Sequence, residues 1–471
     1  MREHKEAPAG PASHPSRVTC YGHGATPTGR REPPVNEAKP FSHGRWPALI
    51  AAFLGWMFCG VEQGLFPIVA RPALQSLVEP GARAALEAEG RGGEGDEAKA
   101  ALLKRTEELV SSWNGTMIAC FLLGAAAGGV AFGWLGDRLG RVRAMVLSIL
   151  TFSLFTGAKY FATAPTQLAV LRFIASLGMG GQWTLGVALV VECWPERLRP
   201  LMAGVIGASA NVGFLLIAIL GTCMPATRES WRWMFLVGAA PALLAAYVAL
   251  CVPESQRWRA SVSHGVAKPI HEIFSRGLRR RTLLAIAFAS IALIGTWGAV
   301  SGWLTVWVDQ LTGGKVPAAK AAVQVAVSIG AILGCLFAPV LGGRIGRRPA
   351  YFVLCLLSLG VCAFLFRVLD TYNTVFLVTS GLAGLVTAAF YGWSPLYLPE
   401  LFPTRVRATG QGLSFNFGRI LAAAGALQMG RLVGFFGGSY ARAGATITLI
   451  YAVGLVLIWF APETKGKPLP E

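Results

Sequence analysis

One carboxylate and two guanidinium groups lie where the chain is otherwise apolar. Glu62 sits in Gly55-Trp-Met-Phe-Cys-Gly60-Val-Glu62-Gln63-Gly-Leu-Phe66, and it alone of the 24 acidic residues lies deep inside an apolar run. A carboxylate surrounded by hydrocarbon is expensive, so such a group is paired or functional. Arg172 matches it in depth. Glu62 lies nine residues before Arg71, and Arg172 seven after Pro165, each reference residue marking the outer end of its run. At about 1.5 Å per helical residue, both fall roughly 10–13 Å below the outer surface. The pair fits proton exchange or a static ion pair. Arg419 follows Arg407 by twelve residues, near mid-membrane, and no acid lies within the apolar runs of the second half to neutralise it. An anionic substrate or the backbone carbonyls of span ten would each satisfy this cation. Asn416, three residues earlier, shares its face.

Other side chains are placed to line a polar path. Trp183 follows Arg172 by eleven residues, three helical turns, and so faces nearly the same way. Gln63, Asn211, Trp303, Tyr391 and Trp393 join it as candidate substrate contacts, with lipid-facing packing as the competing role of the tryptophans. The nine cysteines show no CxxC spacing and the six histidines all lie outside apolar runs. Neither a metal site nor a cofactor is expected. The Gly-x-x-x-x-Gly-Lys-Ser/Thr phosphate loop is absent, and no nucleophile–base pair lies in the apolar runs, so an enzyme is not expected.

These residues need elements that cross a bilayer. The chain is 54% hydrophobic and 14% charged, against about 25% charged for a soluble chain. Runs long enough to span as helices cover 46–70, 112–135, 144–163, 167–191, 201–225, 231–252, 283–308, 318–341, 350–369, 375–398, 408–436 and 444–460. An all-α membrane protein of twelve transmembrane helices is the fold class. A barrel is excluded, since its strands would alternate in polarity over about ten residues. The net charge of +18 resides in short loops, the pattern of cytoplasmic loops rather than of a nucleic-acid surface. Both termini are expected in the cytoplasm of a plasma or inner membrane. The expected organisation is a disordered tail at 1–45, an N-terminal six-helix bundle at 46–252 with an extracytoplasmic loop at 71–111, a linker at 253–282, a C-terminal bundle at 283–461 and a tail at 462–471.

The halves repeat each other. Gly136 to Arg141 matches Gly342 to Arg347. Glu192-Cys-Trp-Pro-Glu-Arg-Leu-Arg199 matches Glu400-Leu-Phe-Pro-Thr-Arg-Val-Arg407, and Pro253-Glu254-Ser255 matches Pro462-Glu463-Thr464. Ordered echoes at nearly constant offset indicate a duplicated six-span unit, the build of transporters whose substrate lies between halves at mid-membrane. Among the differences between the copies, Gly343 stands where the first copy has Asp137.

The stretch Gly133-Trp-Leu-Gly-Asp137-Arg138-Leu-Gly140-Arg141 with its second copy, the Pro253-Glu-Ser-Gln-Arg257-Trp and Pro462-Glu-Thr-Lys-Gly466-Lys signatures and the twelve-span pattern resemble the major facilitator superfamily, within it the sugar porters and metabolite:proton symporters. The resemblance implies two pseudo-symmetric six-helix bundles that rock about a central cavity. It implies a cytoplasmic gate of Asp137, Arg138, Arg141, Glu192 and Glu254, with Arg347, Glu400 and Glu463 as counterparts. Asp137 would meet the N-terminus of span eleven, Arg141 would bond Glu192 and Glu254, and Arg347 would bond Glu400 and Glu463. Glu62 and Arg172 would couple protons to transport. Span seven reads Gly295-Thr-Trp-Gly-Ala-Val-Ser301 without the Gln-Gln-Leu-Ser type of motif of sugar porters, which favours an organic anion over a sugar. The partners expected are a small-molecule substrate, protons and the lipid bilayer, with no nucleic acid, for a monomer. A proton-driven exporter of drug-like compounds and a non-transporting sensor on the same scaffold are the competing functions.

Overall fold

The computed structural model describes residues 44–471 except 92, 94, 224–226, 263–267, 302–303 and 314–315. The tail expected over 1–45 falls outside the described residues but for its last two positions. The described chain is helical throughout. Its long elements are α1 (Arg45–Ala88), α2 (Asp96–Leu139), α3 (Arg141–Ala158), α4 (Pro165–Cys193) and α5 (Arg199–Cys223). Two short helices, α6 (Trp231–Val237) and α7 (Ala242–Cys251), make the sixth crossing, and α8 (Gln256–Val262) and α9 (Pro269–Ile273) lie in the linker. The second half holds α10 (Arg279–Gly295), α11 (Leu304–Thr312), α12 (Pro317–Ile345), α13 (Arg347–Val368), α14 (Thr374–Leu401), α15 (Arg407–Phe435), α16 (Tyr440–Ile447) and α17 (Ile450–Leu457). Among the described residues, eleven helical stretches are long and apolar enough to cross a membrane. The 29-residue α15 completes twelve.

Three crossings are interrupted. Pro241, without an N–H to continue the ladder, stands at the junction of α6 and α7. A π-helical stretch, Thr296–Ser301, follows α10 in the seventh crossing. Wide turns of this kind occur at functional positions in helices. The twelfth crossing divides between α16 and α17.

The 71–111 segment, expected as a loop, is mostly helical. α1 runs unbroken to Ala88 through Pro72 and Pro80, and α2 starts at Asp96. Each helix has 44 residues, about 66 Å at 1.5 Å per residue, twice the hydrocarbon thickness. Arg71 and Gln75 both bond Glu107 across the resulting hairpin, at 2.9 and 2.8 Å.

The repeat shows in the backbone. α2 passes to α3 through Gly140 alone (φ +106°), and α12 to α13 through Gly346 alone (φ +105°). Only glycine takes this conformation without strain. A Cβ at Gly140 would also fall 2.2 Å from Glu254 Oε2, and one at Gly346 2.9 Å from Glu463 Oε2. Both turns therefore seat a carboxylate against the start of the next helix. Between halves, α2 packs on α15 and α5 on α12 and α14. Gly412 of α15 lies so near α2 that a Cβ there would stand 2.0 Å from the Gly129 carbonyl oxygen.

Candidate functional site

Three polar groups lie in this apolar frame. The first joins the two halves at the α2–α3 turn and the start of α15. Asp137 ends α2 fully buried, and the N-terminus of α15 points at it. Its Oδ1 accepts from the Ala408 N–H at 3.2 Å, and its Oδ2 from the Thr409 N–H at 2.8 Å and the Thr409 hydroxyl at 2.6 Å. Unsatisfied N–H groups and the helix dipole both favour an anion here. Arg141 Nη1 donates to Asp137 at 2.7 Å, while Nη2 reaches Glu192 at 3.1 Å and the Thr404 carbonyl at 2.7 Å. Glu192 Oε1 also accepts from Arg407 Nη1 at 3.0 Å. Its Oε2 accepts from the Ser255 hydroxyl. Asp137, Arg141 and Glu192 thus each hold a residue of the other half.

The expected contact between Arg141 and Glu254 is present, and one expectation, that of Arg138, needs correction. Glu254 meets Arg141 through the backbone, not the guanidinium: its carboxylate takes the Arg141 N–H at 2.8 Å and the Val142 N–H at 3.1 Å. The first two N–H groups of α3 have no intrahelical acceptor, which is why a carboxylate docks there. Arg138 stays outside the network. It is exposed, with its guanidinium over the Trp134 ring at 4.6 Å.

The Arg347 site of the second copy stays within its own half. Arg347 donates twice to Glu400, at 3.0 and 2.6 Å, and Glu463 accepts the N–H groups of Arg347 and Arg348. Thr464 completes Glu400 at 2.6 Å. Burial opposes ionisation of Glu463, but the N–H groups of Arg347, Arg348, Lys465 and Thr464 outweigh it and hold the carboxyl below the usual glutamate value. At Glu254 burial prevails over its backbone bonds and pushes the carboxyl up.

The second group lies in the N-terminal half, at the end of α3 opposite Arg141. Glu62 and Arg172 are brought together, with Arg172 Nη1 3.7 Å from Glu62 Oε1. The nearer partner is Lys159, whose Nζ donates to the same oxygen at 2.8 Å. Lys159 opens a 3₁₀ turn, Lys159–Phe161, that ends α3 and directs its side chain inward. Arg172 is clamped by its neighbours: its guanidinium lies 3.6 Å from the Phe66 ring centre and Nε donates to the Met117 carbonyl.

The third group lies where α4, α14 and α15 meet. Arg419 is 5% exposed, and its Nη1 is buried without a hydrogen-bond partner among the described residues. Its nearest aromatic is Phe415, one turn earlier, 5.7 Å from the guanidinium carbon to the ring centre. Phe415 stacks on Trp183 of α4 with ring centres 3.8 Å apart and meets Tyr391 of α14 edge-on at 6.2 Å. The predicted Trp183, Tyr391 and Arg419 therefore converge on one ring.

The remaining candidates are committed elsewhere. Asn416 turns from Arg419 toward the backbone, donating to the Gly412 carbonyl at 2.9 Å and the Gly180 carbonyl at 3.4 Å. Gln63 bonds the Cys59 carbonyl of its own helix, and Asn211 reaches the Cys335 sulfur at 3.7 Å. Trp393 sits in the core of the C-terminal half against Tyr351 and Tyr397, its indole donating to the Arg347 carbonyl at 3.1 Å. Trp303 lies outside the described residues. Lys159, Phe415, Arg407 and Thr409 were not among the expected site residues. The available signals were a lysine inside an apolar run and an aromatic four residues before the buried arginine.

Comparison with known proteins places this geometry. The family profile described as Major Facilitator Superfamily matches residues 106–426. The "Probable 4-methylmuconolactone transporter" of Cupriavidus pinatubonensis is 30% identical over 76% of this chain and 85% of its own length. The cis,cis-muconate transport protein of Acinetobacter baylyi is 29% identical over 77% of this chain and 89% of its own. Among solved structures, the proton:xylose symporter XylE bound to 6-bromo-6-deoxy-D-glucose superimposes with a TM-score of 0.71 at 17% identity, over 90% of this chain and 97% of that one.

Proposed function

Since this chain belongs to the major facilitator superfamily, we propose that it takes up a small organic anion together with protons by alternating access. The observation that carries the anion is Arg419. A desolvated guanidinium without a counter-charge is costly, and a substrate carboxylate offers the planar, two-oxygen acceptor that a guanidinium fork matches. Trp183, Phe415 and Tyr391 surround that position with aromatic surface, suited to a flat or unsaturated acid. The relatives named for 4-methylmuconolactone and cis,cis-muconate support such a substrate.

The proton reading rests on Glu62 with Arg172, a carboxylate whose partners can compete for it. The bodies that rock are the bundles at 46–252 and 283–461. Their inner gate is the Asp137, Arg141 and Glu192 network, whose bonds to Thr409, Thr404 and Arg407 must break when the cytoplasmic side opens. The polarity of the loops supports cytoplasmic termini in a plasma or inner membrane, and the complete two-bundle unit supports action as a monomer.

Purified protein in proteoliposomes, given radiolabelled cis,cis-muconate, nicotinate or xylose, tests this. An inward proton gradient is predicted to drive accumulation of an acid and not of xylose. Arg419→Ala is predicted to reduce acid uptake by about a hundredfold, the loss of one buried charge-assisted contact of about 3 kcal/mol. Undiminished acid uptake by Arg419→Ala would remove the anion reading.

A further inference from the structure

One carboxylate faces two cations in the N-terminal bundle. Lys159 Nζ and Arg172 Nη1 approach the same Glu62 oxygen at 2.8 and 3.7 Å. The three side chains are 0%, 4% and 3% exposed. No second acid balances them: among the described residues the other buried acids are Asp137, Glu192 and Glu400, all bonded to Arg141 or Arg347. The elements around Lys159 add no anion. From α6, Phe235 presents its ring at 5.4 Å, and Arg232 binds the Tyr160 and Ala162 carbonyls. α4 contributes Arg172. The thiols nearby are Cys59 beside Glu62 and Cys120 beside Arg172.

Charge counting separates the protonation states. With all three groups ionised, the cluster holds one excess positive charge away from water, which is unfavourable. A proton added to Glu62 would worsen this, leaving two cations and no anion. A proton removed from Lys159 leaves a carboxylate balanced by one guanidinium, and the neutral amine still donates an N–H to Oε1. The guanidinium does not surrender its proton in proteins, whereas a buried ammonium does.

We propose that the proton exchanged at this cluster is carried on Lys159 Nζ, while Glu62 stays ionised in both states. The inference rests on the reading of this cluster as the coupling site. On release an N–H bond breaks, its electron pair stays on nitrogen and the proton passes to water; uptake is the reverse. Arg172 is poised to take over the carboxylate as the lysine loses its charge, since its Nη1 has no hydrogen-bond partner.

The test is a proton count that needs no substrate. Purified full-length protein in detergent is titrated between about pH 6 and pH 9, where ordinary carboxylates are already ionised and ordinary lysines still charged. Lys159→Arg keeps the charge and the pair but cannot release a proton; Lys159→Met removes the group and serves if the arginine variant does not fold. Wild type is predicted to release about one more proton per molecule than either variant over this range. Superimposable curves would overturn the proposal. So would a one-proton difference that appears against Glu62→Gln and not against the Lys159 variants, which would put the proton on Glu62. The outcome is independent of transport. A protein that shows the lysine proton but accumulates no acid keeps this site and loses the symport reading, and the converse result loses only the lysine.

Discussion

In the first copy of the repeat, Arg141 binds Asp137 and Glu192 and reaches Thr404 in the opposite half; in the second, Arg347 bonds Glu400 and the Gly342 carbonyl, both of its own half. The flanking turns are alike, with Gly140 and Gly346 seating Glu254 and Glu463 on the next helix. Two differences bear on this junction: Gly343 stands for Asp137, and Thr404 stands for Glu196, which holds Arg199 while Arg407 crosses to Glu192. Asp137 receives two N–H groups from the start of α15, whereas Gly343 meets only the Pro200 ring at the start of α5. The duplicated arginines have thus divided their work: Arg347 fastens one bundle, whereas the Arg141 network, which Arg407 joins at Glu192, also fastens the two bundles to each other.

The largest effect should follow from breaking that difference at its source. Asp137→Asn leaves Arg141 without its short ion pair, and loss of one partner of a buried pair costs about 3–5 kcal/mol. Spin labels on the exposed Arg138 and Arg405 positions are predicted to move apart in this variant, as the cytoplasmic ends separate. An unchanged distance would mean that the first copy is not what closes this side. Next come the paired acids. Glu192→Gln removes the carboxylate shared by Arg141 and Arg407, and should lengthen the same distance. Glu400→Gln should lower the melting temperature in detergent and leave the distance alone. Equal effects on distance would erase the contrast between the copies.

The smallest effect separates Glu254 from Glu463 by pH. The Glu463 carboxyl is held below the ordinary 4.5, so its stabilisation is complete above pH 4.5 and is lost as pH falls through the lowered value. The Glu254 carboxyl is pushed above 4.5, so its contribution is complete below pH 4.5 and is lost as pH rises through the raised value. Glu463→Gln should therefore lower the melting temperature at neutral pH and progressively less in acid. Glu254→Gln should lower it little or not at all at neutral pH. Parallel curves for the two variants would contradict these opposite shifts.

Much of this arrangement is written in local spacing. Twelve apolar runs and three ordered echoes suffice for a duplicated helical carrier, because hydrocarbon leaves a spanning backbone few alternatives. Asp137 and Arg141 are only four residues apart, but they end α2 and open α3 on either side of Gly140, so their meeting depends on that glycine turn rather than on helical spacing. Lys159 was hidden for a similar reason. A lysine near the end of an apolar run ordinarily extends its ammonium to the interface, and only the 3₁₀ turn after α3, packed beneath α6, directs it to Glu62. Trp393 misled for a related reason. It lies two residues after Tyr391, a separation that on a helix places the two side chains on different faces. The 71–111 hairpin reads as loop because its charges suit solvent; they lie instead on two continuous helices, with Arg71 and Gln75 meeting Glu107 across it.

The most direct test follows protons and substrate together. Proteoliposomes holding a pH-sensitive dye, at equal pH on both sides and with the membrane potential clamped, receive cis,cis-muconate or nicotinate outside. Transport of either acid with protons predicts that the lumen acidifies as the labelled acid enters, and that both signals are lost in Arg419→Ala. Entry of the acid with no change in luminal pH would contradict the coupling, and alkalinisation on entry would show protons moving the opposite way.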